Sequence, residues 1–283
     1  MAVVATGFFD GVHVGHRMVI ETLVQTARER GEESVVITFW PHPRTVLQND
    51  AMQLRLLNSL EEKKTMLASL GVDRVEVIPF TREFSRMTAY EYFNDVVIRD
   101  FNGTAVLLGY DNRIGSDVIS PEQASIKARE LGLDVIRTDK VSSVGIAVSS
   151  TKIRKALSEG NVALASRFLC YDYALQGVVV SGEQKGRTIG YPTANLQLYE
   201  PLKLIPGDGA YFTAVKTLGG RYYGMTNIGR RIETHIFDFE EMIYGQDISL
   251  SFLQRIRDEK IFGSMEELKC QLKEDEKVCR NLY

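Results

Sequence analysis

The stretch that most constrains this chain is its opening, Val-Val-Ala-Thr-Gly-Phe-Phe-Asp-Gly-Val-His-Val-Gly-His over residues 3–16. Residues 3–6 read as a short strand buried on both faces. The chain then passes through Gly7 and Gly11 to His13 and His16. A helix follows at once, its apolar residues Val19, Ile20, Leu23, Val24 and Ala27 recurring at helical spacing up to Gly31. Glycines let the backbone turn tightly and approach a ligand. The first helical turn offers N–H groups to an anion, and imidazoles three apart on the helix entrance face the same way. No Gly-Lys-Ser/Thr follows the glycines, so this is not a P-loop. Neither Cys nor Ser lies between them, so the chemistry it suggests is electrostatic clamping of phosphates rather than covalent catalysis. A structural turn with packed or capping histidines is the competing reading. Phe8 and Asp10 belong to the turn, where Asp10 either steers a metal or fixes the loop.

Short apolar runs at residues 34–39, 74–80 and 104–109 alternate with helical patterns at residues 60–70, after the Thr88/Glu91 capping box, and after Ser120–Pro121. That alternation predicts a doubly wound parallel sheet with right-handed crossovers. Such sheets bind ligands at the carboxyl ends of their strands. His42, held between Pro41 and Pro43, lies at one such end, and Asp111 and Asn112, just past Gly109, lie at another. For both segments an ordinary polar turn is the alternative. Ser149, Ser150 and Thr151 open a further helix beside Lys152 and Arg154, a second candidate phosphate element against the plainer reading of a cap with solvated basic residues.

Beyond a helix at residues 162–169 the periodicity changes from helical to alternating, which places a domain boundary at 170/171: 1–170 and 171–283. Strand candidates at residues 211–216, 222–226, 232–237 and 248–252 suggest a small closed antiparallel barrel. A final helix capped by Ser264 and Glu267, with Leu268 and Leu272 on one side, is expected to cover one face of it. Gly186 and Gly190 bracket a basic loop ahead of Pro192, Thr193 and Asn195. In extended backbone Thr193 and Asn195 point the same way and could share an Mg²⁺ ion. A turn pinned by Pro192 competes with that. Glu233 and His235 alternate with Ile232, Thr234 and Ile236, and a buried-facing carboxylate needs a job or a partner.

With 283 residues, 44% hydrophobic and 25% charged, the chain has the composition of a globular protein of two domains. A net charge of −3 argues against a nucleic-acid partner. No apolar run is long enough to span a membrane, and the start has no signal-peptide pattern. The three cysteines give neither a disulfide framework nor zinc spacing. A cytoplasmic enzyme without membrane contact is the expectation.

Four separated strings, "GFFDGVHVGH", "SSTKIR", "GRTIGYPTANL" and "ETHIFDF", resemble in order the motifs of the bacterial bifunctional riboflavin kinase/FMN adenylyltransferase (FAD synthetase) family. The first two are similar to the H-x-G-H nucleotidyltransferases at large. The resemblance implies an N-terminal nucleotidyltransferase domain, then a β-barrel flavokinase domain with a C-terminal helix. It implies substrates and products riboflavin, FMN, FAD, ATP, ADP and pyrophosphate, with Mg²⁺. It gives His13, His16, Ser150, Thr151 and Arg154 to ATP phosphates, favours a nucleotide role for residues 109–115, gives Thr193 and Asn195 to Mg-ATP, and makes Glu233 the base for the riboflavin 5′-hydroxyl. Two departures stand out. The chain passes quickly from Asp117 to Pro121, and Arg230 follows Gly229 where the family has a longer Pro-Thr loop, so either the loops are short or residues are absent. An adenylyl- or cytidylyltransferase for another phosphate ester would leave Thr193, Asn195 and Glu233 unexplained. A flavin-binding protein without turnover is the non-enzymatic alternative.

Overall fold

The computed structural model describes residues 1–47, 54–109, 114–138, 142–143 and 146–283. The chain forms two compact units, Met1–Ser150 and Thr151–Tyr283.

The first unit runs β1 (Ala2–Thr6), α1 (Val14–Arg30), β2 (Glu33–Trp40), α2 (Pro43–Leu47), α3 (Leu60–Ser69) and β3 (Arg74–Pro79). After a 3₁₀ turn at Phe84–Arg86, α4 (Ala89–Glu91) leads into a π-helical stretch, Tyr92–Asp100. Then come β4 (Gly103–Leu108), α5 (Pro121–Glu130), β5 (Asp134–Arg137) and the short antiparallel pair β6 (Ser142–Ser143) and β7 (Ile146–Ala147). The main sheet is parallel in the order β3-β2-β1-β4-β5, so the expected doubly wound fold is present. Central β1 is buried at every position. Its Val4 packs with Ile37, Phe93, Val97 and Val106 on one face, and its Val3 and Ala5 with Ile20, Leu23 and Leu67 on the other. Burying each such Val, Leu or Phe is worth roughly 1.5–3 kcal/mol, which is why a five-residue strand can anchor the unit. Ser59/Glu62, Thr88/Glu91 and Ser120/Gln123 each close a capping box, while Gly31, at φ 65°, ends α1. The strand order reverses between β1 and β4, so the loops leaving their carboxyl ends border the switch point.

In the second unit, α6 (Ser150–Ser158) and α7 (Val162–Leu169) precede β8 (Ala174–Val180), α8 (Lys185–Thr188), β9 (Ala194–Leu198), β10 (Gly209–Lys216), β11 (Arg221–Ile228), β12 (Ile232–Ile236), β13 (Asp247–Arg257) and α9 (Met265–Arg280). Six strands close an antiparallel barrel in the order β10-β11-β12-β9-β8-β13. The compact units divide after Ser150, ahead of the change of periodicity at residue 170. The reason is that α7 packs on β13, with Phe168 and Leu169 fully buried. Periodicity marks where helix gives way to strand; packing decides which core the helices join.

Inside the barrel, Thr213, Thr226 and Thr234 form a hydrogen-bonded row, 2.8 Å for the first pair. Outside, Phe212, Met225 and Phe237 form an apolar patch covered by Cys279 and Leu272 of α9, as the final helix's pattern predicts. The departure at Gly229 closes as a tight hairpin: Ile228 pairs with Ile232, and Gly229 N–H donates to the Arg231 carbonyl at 3.2 Å. The short segment near Asp117 is likewise held, Asp117 accepting from Ala89 N–H at 3.0 Å.

Two candidate active sites

In the first unit the turn after β1 is strained. Gly11 sits at φ 88°, where glycine is at ease, but Phe9 at 50° and the β-branched Val12 at 38° also occupy the left-handed region. Such residues cost about 1–3 kcal/mol each and cluster where a ligand must be met. His13 N-caps α1, its Nδ1 accepting from His16 N–H at 3.4 Å. That leaves the proton of neutral His13 on Nε2. The two rings stack with centroids 3.7 Å apart. Burial, together with the charges of His13 and Lys63, holds the His16 imidazole well below its usual pKa. Its Nδ1 is buried without a hydrogen-bond partner among the described residues. Burial thus favours the neutral imidazole of His16.

The turn is held from several sides. Asp10 turns inward, accepting from Leu57 N–H at 3.0 Å and Asn58 N–H at 3.2 Å, which is the loop-fixing alternative of the sequence reading. His42 packs edge-on against Phe8, centroids 4.0 Å apart, and accepts from Arg44 N–H at 3.0 Å. Ser150, at the start of α6, donates to the Asp10 carbonyl at 2.9 Å. Within the first unit, Ser150 of the second candidate phosphate element is therefore held against the turn. Thr151 is exposed in the first turn of α6, and Arg154 lies farther along the same helix. Asp111 and Asn112 lie outside the described residues. Sequence reasoning missed Lys63, which is buried beneath this turn.

In the second unit a cavity of about 350 Å³ is lined by Gly186, Tyr191, Thr193, Met225, Asn227, Glu233, His235, Leu268 and Leu272, among others. A second, of about 380 Å³, is lined by Arg187, Pro192, Thr193, Phe239 and Tyr244 among others. Thr193 borders both. Glu233 and His235 occupy the half-buried face of β12 while Ile232, Thr234 and Ile236 fill the barrel. The alternation is as read, but the carboxylate faces the cavity rather than the core. Arg231 pairs instead with Glu183, at 3.8 Å, and the Glu233 carboxylate makes no hydrogen bond or ion pair among the described residues. His235 Nδ1–H donates to the Pro192 carbonyl at 2.8 Å, which pins the turn. Gly186 brings the backbone within a Cβ's clash of Tyr191, at 2.2 Å, and Gly190 turns at φ 87°. Asn195 is buried, with Oδ1 unpartnered among the described residues. Two features escaped the sequence reading. Asn227 pairs with Glu233 across β11 and β12, and Arg257 grips Asp275 of α9 through bonds of 2.8 to 3.0 Å at the cavity wall.

Comparison with known proteins places both halves. The FAD synthetase family matches residues 1–152 and the riboflavin kinase family residues 169–283. The bifunctional riboflavin kinase/FMN adenylyltransferase of Listeria monocytogenes is 35% identical, the alignment covering 99% of this chain and 92% of that one. The Escherichia coli K12 protein of the same name is 34% identical over the same shares. A Streptococcus pneumoniae crystal structure, named as a macrolide-efflux protein, superposes with a TM-score of 0.91 at 34% identity, covering 99% of this chain and 94% of that one. Among the described residues of the present chain, no helix is long and apolar enough to cross a membrane.

Proposed function

The chain belongs to the bifunctional riboflavin kinase/FMN adenylyltransferase family, and from that premise we propose how its residues divide the two reactions. Riboflavin is phosphorylated to FMN in the barrel unit. FMN is adenylylated to FAD at the turn after β1.

In the kinase site the flavin takes the cavity lined by Tyr191, Met225, Leu268 and Leu272, because Glu233 lies in that lining and not in the neighbouring one. Glu233 accepts the proton of the 5′-hydroxyl as that oxygen attacks the γ-phosphorus of ATP, and ADP leaves. ATP takes the neighbouring cavity, lined by Arg187, Pro192 and Thr193, with the Gly186–Gly190 loop running beside it so that backbone can approach its phosphates. Thr193 and Asn195 suit a hard cation: both offer neutral oxygens, and the buried Asn195 Oδ1 has no other partner among the described residues. Mg²⁺ bound with ATP would neutralise phosphate charge there. The observation that carries this reading is Thr193 lying between two cavities of which only one contains Glu233.

At the other site the FMN phosphate attacks the α-phosphorus of ATP and pyrophosphate leaves, with no protein nucleophile. His13 and His16 direct N–H groups at the phosphates. Ser150 and Thr151 serve the helix terminus, and Arg154 adds charge. The phosphates' own charge would draw His16 toward its protonated form. We place the protein in the cytoplasm, acting on small flavins and nucleotides rather than nucleic acid or membrane. Chromatography of flavins from purified protein given riboflavin, ATP and Mg²⁺ tests the scheme. FMN followed by FAD, both abolished by EDTA, is expected; metal-independent turnover would refute the cation's role.

A further inference from the structure

Lys63 is charged, 2% exposed and without a part in the scheme above. It lies on the buried face of α3 beside Leu67. Its Nζ donates to the Phe8 carbonyl at 2.9 Å and to Thr38 Oγ1 at 2.9 Å, and stands 4.0 Å over the Phe8 ring. Thr38 Oγ1 in turn donates to the same carbonyl at 3.3 Å. Asp10, two residues on, is tied to Leu57 and Asn58, just ahead of α3. One short segment, residues 57–63, therefore grips the turn at two points.

A buried ammonium is an expensive way to hold a carbonyl that a neutral donor could hold. Its placement is explained if the charge itself is needed. The facing titratable groups are Asp10 from the turn, which favours the ammonium, and His16 with its stacked partner His13 at the α1 entrance. We infer that Lys63 is a positioning residue for adenylyl transfer: it fixes the Phe8–His13 turn from beneath and sets a buried positive charge behind it. The inference rests on the assignment of FMN adenylylation to this turn. Burial lowers the Lys63 ammonium to about 8, so the charge persists at neutral pH and disappears in the mildly alkaline range.

The test uses the full chain with FMN, ATP and Mg²⁺, comparing wild type, Lys63→Met and His16→Ala. Misplacing groups that act in the transition state lowers kcat more than it raises KM. Lys63→Met is expected to lower the adenylylation kcat by about 10- to 100-fold, with KM for ATP within a few-fold and riboflavin phosphorylation unchanged. The wild-type kcat/KM should fall above pH 8 with a limb that the variant lacks. A merely structural lysine would not move that limb. Should Lys63→Met fail to fold, Lys63→Gln, which keeps a donor for Phe8 but no charge, is judged by the same two readouts. A Lys63 variant with wild-type kcat, a loss confined to KM, or a pH limb shared with wild type overturns the inference. If His16→Ala loses adenylylation while the Lys63 variant does not, the inference alone falls. If His16→Ala keeps adenylylation, the assignment of the turn falls and takes the inference with it.

Discussion

Asn195 and Glu233 are direct cross-strand partners, facing each other where β9 and β12 pair. The next pair across the ladder is Glu233 with Asn227 of β11, so one row over three strands reads amide, carboxylate, amide. Opposed residues in an antiparallel pair share a face and stand about 4.5–5.5 Å apart at Cβ. The amide proposed to orient the metal and the proposed proton acceptor are thus set side by side by register alone, and a one-residue slip would separate them.

Asn195 owes its position to a glycine. A Cβ on Gly182 would come within 2.2 Å of the Asn195 side-chain amide, so Gly182→Ala should displace it without exposing the core. Both Gly182→Ala and Asn195→Ala are expected to raise the Mg²⁺ needed for riboflavin phosphorylation, by roughly 10- to 100-fold as for a lost metal-site contact, while adenylylation of supplied FMN is unaffected. Kinase rates titrated against Mg²⁺ check this.

The wall formed by α9 depends on a buried ion pair. The side chains of Arg257 and Asp275 are 13% and 4% exposed, and Gln271 adds a bond of 2.9 Å to the same carboxylate. Breaking such a pair from one side leaves a charge stranded, at about 3–5 kcal/mol. Asp275→Asn should lower the unfolding midpoint of the barrel in calorimetry and weaken riboflavin binding measured by flavin fluorescence.

The sequence made the parallel sheet, the barrel and the helix caps legible, because each rests on local periodicity or a short string. What it could not deliver came from long-range packing. Lys63 had a faint signal: four residues from Leu67 and three from Leu60, it interrupts the apolar stripe of α3, and a charge on such a stripe asks for a reason. Asn227 had none, since its tie to Glu233 exists only through register. The Arg257–Asp275 pair joins a strand to a helix across a loop, and no spacing rule anticipates it. The inward turn of Asp10 is similar, because its partners are backbone N–H groups 47 and 48 residues away.

Lys63 also predicts a pH signature in stability. Its folded value of about 8 lies below the ordinary 10.5, so between those limits the unfolded chain binds more protons and stability rises with pH. The penalty is complete below pH 8 and relieved by 10.5. Compared with Lys63→Met, wild type should therefore gain up to about 3 kcal/mol across that window. Thermal unfolding of both proteins between pH 7 and roughly 10.5 measures the difference; a constant offset would contradict it.

Two separate sites are proposed for the two reactions, with Glu233 as the kinase base. Glu233→Gln keeps the size and most hydrogen bonding of the side chain but removes its basicity. The decisive measurement is both half-reactions on this one variant, with riboflavin binding followed by fluorescence. Riboflavin should still bind, its phosphorylation should fall by roughly 10²- to 10⁴-fold, the scale of general base catalysis, and FMN adenylylation should continue at the wild-type rate. A folded Glu233→Gln protein that phosphorylates riboflavin at near wild-type rate, or that loses both reactions together, would contradict the account.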